Sequence, residues 1–491
     1  MTSSKIDEDK TISVDVAPTI TREGEKFLLA RNGNVIDNGL QRGLESRHLV
    51  MISLGGVVGA SIWYACGTAV SYSGPVGALI CFFIIGVDVF FVMQCLGEIS
   101  TLFPVQGAFM ELTGRFVDES LAFSLGWNYW YLWVTSHLGR QTLMSPKDGY
   151  NSGSVHTGAI GGQYIGFRYW KNPGPIANGI DGFGQSFLLA AVYYCGTEML
   201  AITAAESKNP TRDLPEAIKN TFWRILIIFM GLVFFAGILV PFDDPDLLSA
   251  TSKSGKSPWT IAFTHAGVPG MGHVVNVVLI TAQLSGMNSA LYVTSRTLVS
   301  LASTGRAPKL LAKTSKNGTP IYALIFSNAL GLISMLNYSV GSGKVFNYLV
   351  TISGSATYIA WAVIGVVHYR FRKAWKAQGN RTEDLPFEAM LYPYGTLFVI
   401  FLNTFLVFIA GYSAFVGEFQ PVNFVINYIV IAVFTVLYLG WKIIKSTKIV
   451  PLLEVDLVTG RREWLAQHAE MGHEEEKKVP WYTQVKRLIF A

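Results

Sequence analysis

The chain has 491 residues, 51% of them hydrophobic and only 14% charged, with a net charge of +5. A soluble protein carries roughly 25% charged residues, so a water-soluble globular domain is excluded and a membrane protein with several spans remains. The modest positive charge, with no basic cluster interleaved in a soluble fold, gives no argument for a nucleic acid partner.

Cys66, Cys81, Cys95 and Cys195 all fall inside apolar runs and lack metal-ligand spacing. Free buried thiols are expected, with no metal or cofactor. Residues 1–46 are polar with little periodic pattern and no cleavable signal peptide; they read as a cytoplasmic tail.

The first apolar run, from about Leu49 to Val70, is long enough to cross a bilayer. Its middle reads Leu54-Gly55-Gly56-Val57-Val58-Gly59-Ala60-Ser61-Ile62. Glycines allow the backbone to open there, toward protein or a cavity, with freed N–H groups aimed at an anion such as a carboxylate. Close helix packing through small residues is the alternative. A second run, about 76–97, follows Ser73-Gly74-Pro75 and carries Asp88 and Gln94. Both are costly against lipid and are expected to face the bundle interior.

Pro104 and Gly107 mark a bent amphipathic segment up to Asp118. A third run, Leu121 to Thr135, is rich in aromatics. At 1.5 Å per residue it gives about 22 Å of helix, short against a hydrocarbon core of roughly 30 Å. Residues 136–182 hold no apolar run, and His137, Arg140, Asp148 and His156 lie there without ligand spacing. Further runs near 183–205, 222–240, 272–302, 320–338, 346–367, 395–417 and 424–443 bring the number of candidate spans to ten.

Lys and Arg gather in alternate loops, at 206–221, 303–319 and 368–394. Those loops are expected in the cytoplasm, which with ten spans puts both termini inside. The expected divisions are a tail (1–46), a first membrane segment with a short third helix (47–135), and a polar extracellular connection (136–182). There follow a five-helix segment (183–367), a cytoplasmic loop (368–394), two C-terminal helices (395–443) and a cytoplasmic tail (444–491), whose basic residues near the membrane suit lipid headgroups.

A second interruption lies at Tyr193-Tyr194-Cys195-Gly196-Thr197-Glu198, inside the fourth run. Glu198 cannot face lipid cheaply; binding an ammonium, carrying a proton and tethering a neighbouring helix are the open roles. Paired interruptions in two repeats point to a transport site. Gln283, Ser285, Asn288 and Ser289, like Asn347 and Ser353-Gly354-Ser355, read as polar helix interfaces. No nucleophile, base and orienting group stand together, and no glycine loop for phosphate follows a strand, so an enzyme is not expected.

The chain resembles the fungal amino acid permeases of the amino acid–polyamine–organocation superfamily. The resemblance rests on Gly55-Gly56-Val57-Val58-Gly59, Glu98 with Phe103-Pro104 and Gly107, and Gly126-Trp127-Asn128-Tyr129. It continues through Gly196-Thr197-Glu198, Ala205-Glu206-Ser207-Lys208-Asn209-Pro210 and Leu214-Pro215-Glu216-Ala217. Ser295-Arg296-Thr297-Leu298, Gly305-Arg306-Ala307-Pro308-Lys309 and Asp384-Leu385-Pro386-Phe387 complete it.

The resemblance implies an all-α membrane bundle of two inverted five-helix repeats and two further helices, and proton-coupled uptake of amino acids at the plasma membrane. The substrate-binding residues it implies are Gly55, Gly56, Val58, Gly59, Ala60 and Ser61 for the carboxylate, and Tyr193, Tyr194, Cys195, Gly196 and Thr197 for the ammonium. Glu198 matches the acidic position after Gly-Thr and is the candidate for proton coupling. The implied partners are an amino acid, protons and membrane lipid. The sequence departs from the family where Ala60-Ser61 replace a usual second glycine. It departs more between Thr135 and Gly182, where the end of the third helix and all of the fourth and fifth have no counterpart, leaving the first repeat incomplete. A non-transporting truncated form and an amino acid sensor are the alternatives to a transporter.

Overall fold

The computed structural model describes residues 60–105, 107–143, 166–204, 210–245, 247, 257–265, 271–315, 318–331, 342–415, 419–459 and 461. Among them all regular structure is helical: α1 (Ala60–Leu102), α2 (Ala108–Phe116), α3 (Glu119–Leu143), α4 (Arg168–Lys171), α5 (Gly179–Tyr194), α6 (Met199–Thr203), α7 (Pro210–Leu239), α8 (Pro258–His265), α9 (Met271–Ser303), α10 (Ile321–Gly331), α11 (Ser342–Ala377), α12 (Tyr394–Ile409) and α13 (Pro421–Lys445). Five stretches are long and apolar enough to cross a membrane: Cys66–Leu102, Gly179–Thr203, Asp213–Leu239, Tyr348–Ala377 and Pro421–Lys445. Two shorter apolar helices are Ile321–Leu330 and Tyr394–Ile409. The helices α3 and α9 have the length of spans, 25 and 33 residues, but Ser, Thr, Asn, Gln and His dilute their apolar character.

Gly74 sets the corner between the two arms of α1. Its φ of +76° is left-handed, and Pro75 then begins the second arm. The corner is strapped from outside by residues 175–178. Val76 N–H donates to the Pro175 carbonyl and Ala177 N–H to the Ser73 carbonyl, both at 3.0 Å. The Asn178 amide reaches the carbonyls of Ser71 and Tyr72 at 3.3 and 2.9 Å. A Cβ on Gly74 would stand 2.7 Å from the Pro175 oxygen.

The third helix corrects the expected boundary. It runs to Leu143, eight residues past Thr135, and its 25 residues give about 37 Å, enough to span. Its polar second half is helical because it packs on protein. His137 and Leu138 are buried, and the Thr135 hydroxyl meets that of Ser353 on α11 at 2.7 Å. The polar connection expected over 136–182 therefore begins with helix, and α5 has already started at Gly179.

The second arm of α1 packs on α5 and α7, while α3 is enclosed by α9, α11 and α13. Trp133, Trp361, Trp375, Tyr129, Tyr194 and Tyr358 are among the largest fully buried side chains. The outward faces of α12 and α13 expose residues such as Phe401, Phe405, Val425 and Ile429, as lipid-facing helices do.

At the end of the bundle that carries α2, Arg306 joins Glu111 at 3.2 Å and Glu119 at 2.8 Å. The segment after α13, expected as a polar tail, is docked over residues 447–459. Val450 N–H donates to the Val117 carbonyl at 2.9 Å, and Gln378 Nε2 to the Val455 carbonyl at 2.7 Å. Arg115 donates to the Thr459 carbonyl at 2.7 Å, and Val455 and Leu457 are buried.

Candidate functional site

The helix that begins at Gly179 breaks inside the bundle. At Cys195 the backbone turns extended (φ −57°, ψ 135°), Gly196 takes φ +110°, and α6 resumes at Met199. Few side chains other than hydrogen tolerate the conformation at Gly196. In an unbroken helix the N–H groups of Gly196 and Thr197 would serve the carbonyls of Val192 and Tyr193. Here Gly196 N–H goes to Glu198 Oε2 at 3.1 Å and Thr197 N–H to the Tyr194 carbonyl at 3.4 Å. The break thus turns both N–H groups out of the helical ladder.

Glu198 is fully buried under four donors. The Tyr129 hydroxyl donates to Oε1 at 3.2 Å and the Cys195 thiol to the same oxygen at 3.4 Å. Gly196 N–H and the Thr197 hydroxyl, at 3.4 Å, serve Oε2. The two hydroxyls and the thiol can turn away to admit a proton or a cation; the backbone N–H cannot. Tyr129 comes from α3 and is held edge-on by Phe109, 5.1 Å between ring centres, with Trp133 one turn on at 6.2 Å.

The residues expected in the site are placed unevenly. Cys195, Gly196 and Thr197 form the turn, and all are buried. Tyr193 and Tyr194 are the last residues of α5. The Tyr194 ring packs between Phe82 (6.1 Å) and Phe229 (4.8 Å) in the α1–α7 core. Ala60 and Ser61 are the first described residues of α1, and their backbone is helical rather than open. Gly55, Gly56, Val58 and Gly59 lie outside the described residues. Tyr129 was not singled out for the site. It was visible only as part of the Gly126–Tyr129 motif, which carries no sign of which face meets Glu198.

Other buried carboxylates are satisfied in different ways. Glu98, on α1, lies 2.6 Å from Arg372 Nε and 3.2 Å from His368 Nε2, and accepts the Ala389 N–H at 2.7 Å. Asp88 and Gln94 face inward as expected: Asp88 meets Asn403 of α12, and Gln94 accepts the Met390 N–H at 3.2 Å. Among the described residues no group of three His, Cys, Asp or Glu is placed to hold a metal.

Against known proteins, the chain matches the amino acid permease family over residues 48–138 and 151–454. It belongs to that family. The general amino acid permease AGP3 of Saccharomyces cerevisiae is 36% identical, over 93% of this chain and 92% of the relative. The lysine-specific permease LysP of Lactococcus lactis is 33% identical, over 88% of this chain and 96% of its own. The LysP of Escherichia coli is 31% identical, over 85% and 96%. The permease is therefore an all-α, multi-pass membrane transporter for amino acids, not an enzyme. Its Glu198 turn lies within the second matched stretch.

Proposed function

We propose that this permease is a secondary active transporter that couples amino acid uptake to protons across the plasma membrane, with both termini in the cytoplasm. The observation that carries the reading is the buried break at Cys195–Glu198. It brings non-helical backbone and one carboxylate together inside a membrane helix, an arrangement suited to an ammonium group and a proton. The substrate carboxylate is assigned to the N–H groups around Gly55 to Ser61. Glu198 is the proton-coupling group, because a proton or an ammonium can replace the hydroxyl and thiol donors in turn. The AGP3 and LysP likenesses support an amino acid as cargo without choosing one.

A second reading, a non-transporting truncated form, is favoured by the alignments. That with AGP3 runs over 519 positions, more than the 491 residues of this chain. At 93% coverage about 457 residues fill them, leaving about 62 positions empty. The L. lactis LysP alignment leaves about 60 by the same reckoning, from 492 positions and 88%. Two membrane helices with their connections need roughly that many residues. The family match itself is split between 138 and 151, across the end of α3 at Leu143, which supports a gap there.

Uptake of radiolabelled amino acids in cells lacking their own permeases, at acidic and neutral pH and normalised to surface protein, tests the transporter reading. Acid-stimulated uptake that disappears in Glu198→Gln supports it. Binding without uptake at full surface abundance replaces it with a sensor. Tags at Lys5 and near His468 are expected to resist outside protease, and digestion of either overturns the topology.

A further inference from the structure

Four carboxylates among the described residues are exposed by 1% or less: Asp88, Glu98, Asp118 and Glu198. Three have partners fit for an ion. Glu98 has Arg372, Asp118 has Lys442, and Glu198 has four donors including a backbone N–H. Asp88 differs. It sits midway along the second arm of α1, and its recorded partner is a neutral amide. Asn403 Nδ2 lies 3.0 and 2.9 Å from its two oxygens. That nitrogen has two hydrogens and also reaches the Val399 carbonyl at 2.8 Å, so one hydrogen serves the whole carboxylate.

The titratable groups facing Asp88 add nothing to hold a negative charge. Tyr358 of α11 is its titratable neighbour, and Cys81, which also faces Tyr358, lies about two turns away on α1. The Tyr358 hydroxyl is committed to the Phe187 carbonyl at 2.7 Å, and the Cys81 thiol points to the Phe183 carbonyl. No cation among the described residues is paired with Asp88. An ion so placed inside a membrane bundle costs several kcal/mol. In a neutral acid one oxygen takes the Asn403 N–H and the other carries the proton, while Nδ2 keeps its bond to the Val399 carbonyl.

We propose that Asp88 and Asn403 form a proton-binding site at the seam of α1, α11 and α12, in which Asp88 is held as a neutral acid that accepts the Asn403 Nδ2–H on one oxygen and carries the proton on the other. The proton comes from water as the O–H bond forms. The site is separate from the Glu198 turn and does not depend on that turn binding an amino acid.

Infrared spectra of the purified full chain in detergent, at neutral pH, test this without any need for transport. The carbonyl band of a protonated acid is expected in the wild type. It is lost in Asp88→Asn, kept in Glu198→Gln, and displaced in Asn403→Leu, where the acid loses its partner. An acid band that is absent, or that Asp88→Asn leaves undiminished in the Glu198→Gln background, overturns the proposal. So does one unmoved by Asn403→Leu. Thermal melting supplies a second measure. Asn copies the shape of the neutral acid, so Asp88→Asn is expected to melt at or above the wild type. A variant that melts lower, or cannot be recovered folded, overturns the site.

Discussion

Asp118 lies between α2 and α3 and gathers groups from distant parts of the chain. Lys442 and the Tyr438 hydroxyl reach Oδ2, while Ser120 N–H and the Thr447 hydroxyl reach Oδ1 at 3.0 and 2.8 Å. Burial pushes the Asp118 carboxyl up, but Lys442, Ser120 and Thr447 outweigh it and hold it below the usual carboxylate range. A carboxyl depressed in the folded state contributes stability above its unfolded value, about pH 4, and that contribution is lost as pH falls through the folded value. The melting midpoint should therefore drop on acidification below about pH 4, and by less in Lys442→Met, which starts lower at neutral pH. An equal acid drop in both proteins would show that this pair sets no part of the acid limit. Tyr129→Phe belongs to the same scale. It removes one of four donors to Glu198, and a hydrogen bond contributes roughly 0.5–1.5 kcal/mol. A lower midpoint with weaker amino acid binding is expected, measured on purified protein with and without amino acid. Unchanged binding would detach α3 from the site.

The two breaks in helical structure rest on glycines whose backbone no other residue adopts comfortably. At Gly74 the φ is +76° and an added Cβ meets backbone atoms of 175–177 within 2.9 Å. Gly74→Ala must strain the corner or push the strap away, so a loss of about 1–3 kcal/mol is expected. Thermal melting reads it directly, and a neutral result would mean the strap yields freely. Both breaks were legible, because Gly-Pro and Gly-Thr-Glu interrupt otherwise apolar runs. The length of α3 was not. Ser136, His137, Arg140 and Gln141 read as the end of a span, yet the helix continues because its neighbours bury His137 and Leu138 and bond Thr135. Hydropathy reports what lipid would accept, not what a packed bundle does. The docking of 447–459 was hidden for a related reason. Gln378, Arg370 and Arg115 donate to the backbone carbonyls of Val455, Val450 and Thr459, and backbone acceptors leave no mark in a sequence. The Asp88–Asn403 and Tyr129–Glu198 pairings were likewise out of reach. Each joins residues distant in the chain, although the burial of both carboxylates followed from their cost in lipid.

At the scale of the whole molecule, the truncated reading takes two helices away near the end of α3. The Glu198 turn is enclosed as the chain stands, since Cys195 to Glu198 are buried and α3 is long enough to span. On the truncated reading the uncovered face belongs to α9. Thr281, Leu284, Ser285 and Asn288 are exposed there, at spacings that put them on one face of the helix. Val277, at 65%, lies on the same face. A lipid-facing stripe should be apolar throughout, and an amide or hydroxyl left against hydrocarbon costs free energy even when its own helix satisfies part of it. A helix pair restored after α3 is the natural cover for this face. The 491-residue chain is therefore expected to show low surface abundance and little acid-stimulated uptake. A version carrying two hydrophobic helices from a close relative should regain both. A pair of substitutions separates this account from a simple loss of pocket residues. Asn288→Leu with Thr281→Val should raise the abundance and melting midpoint of the chain as it stands, because it suits the uncovered face to lipid. In the restored version the same pair should lower stability or leave it unchanged, because the face is then a protein interface. Surface biotinylation and melting of the four proteins side by side read the outcome. Equal responses in both backgrounds, or full uptake by the chain as it stands, would mean that α9 needs no such cover.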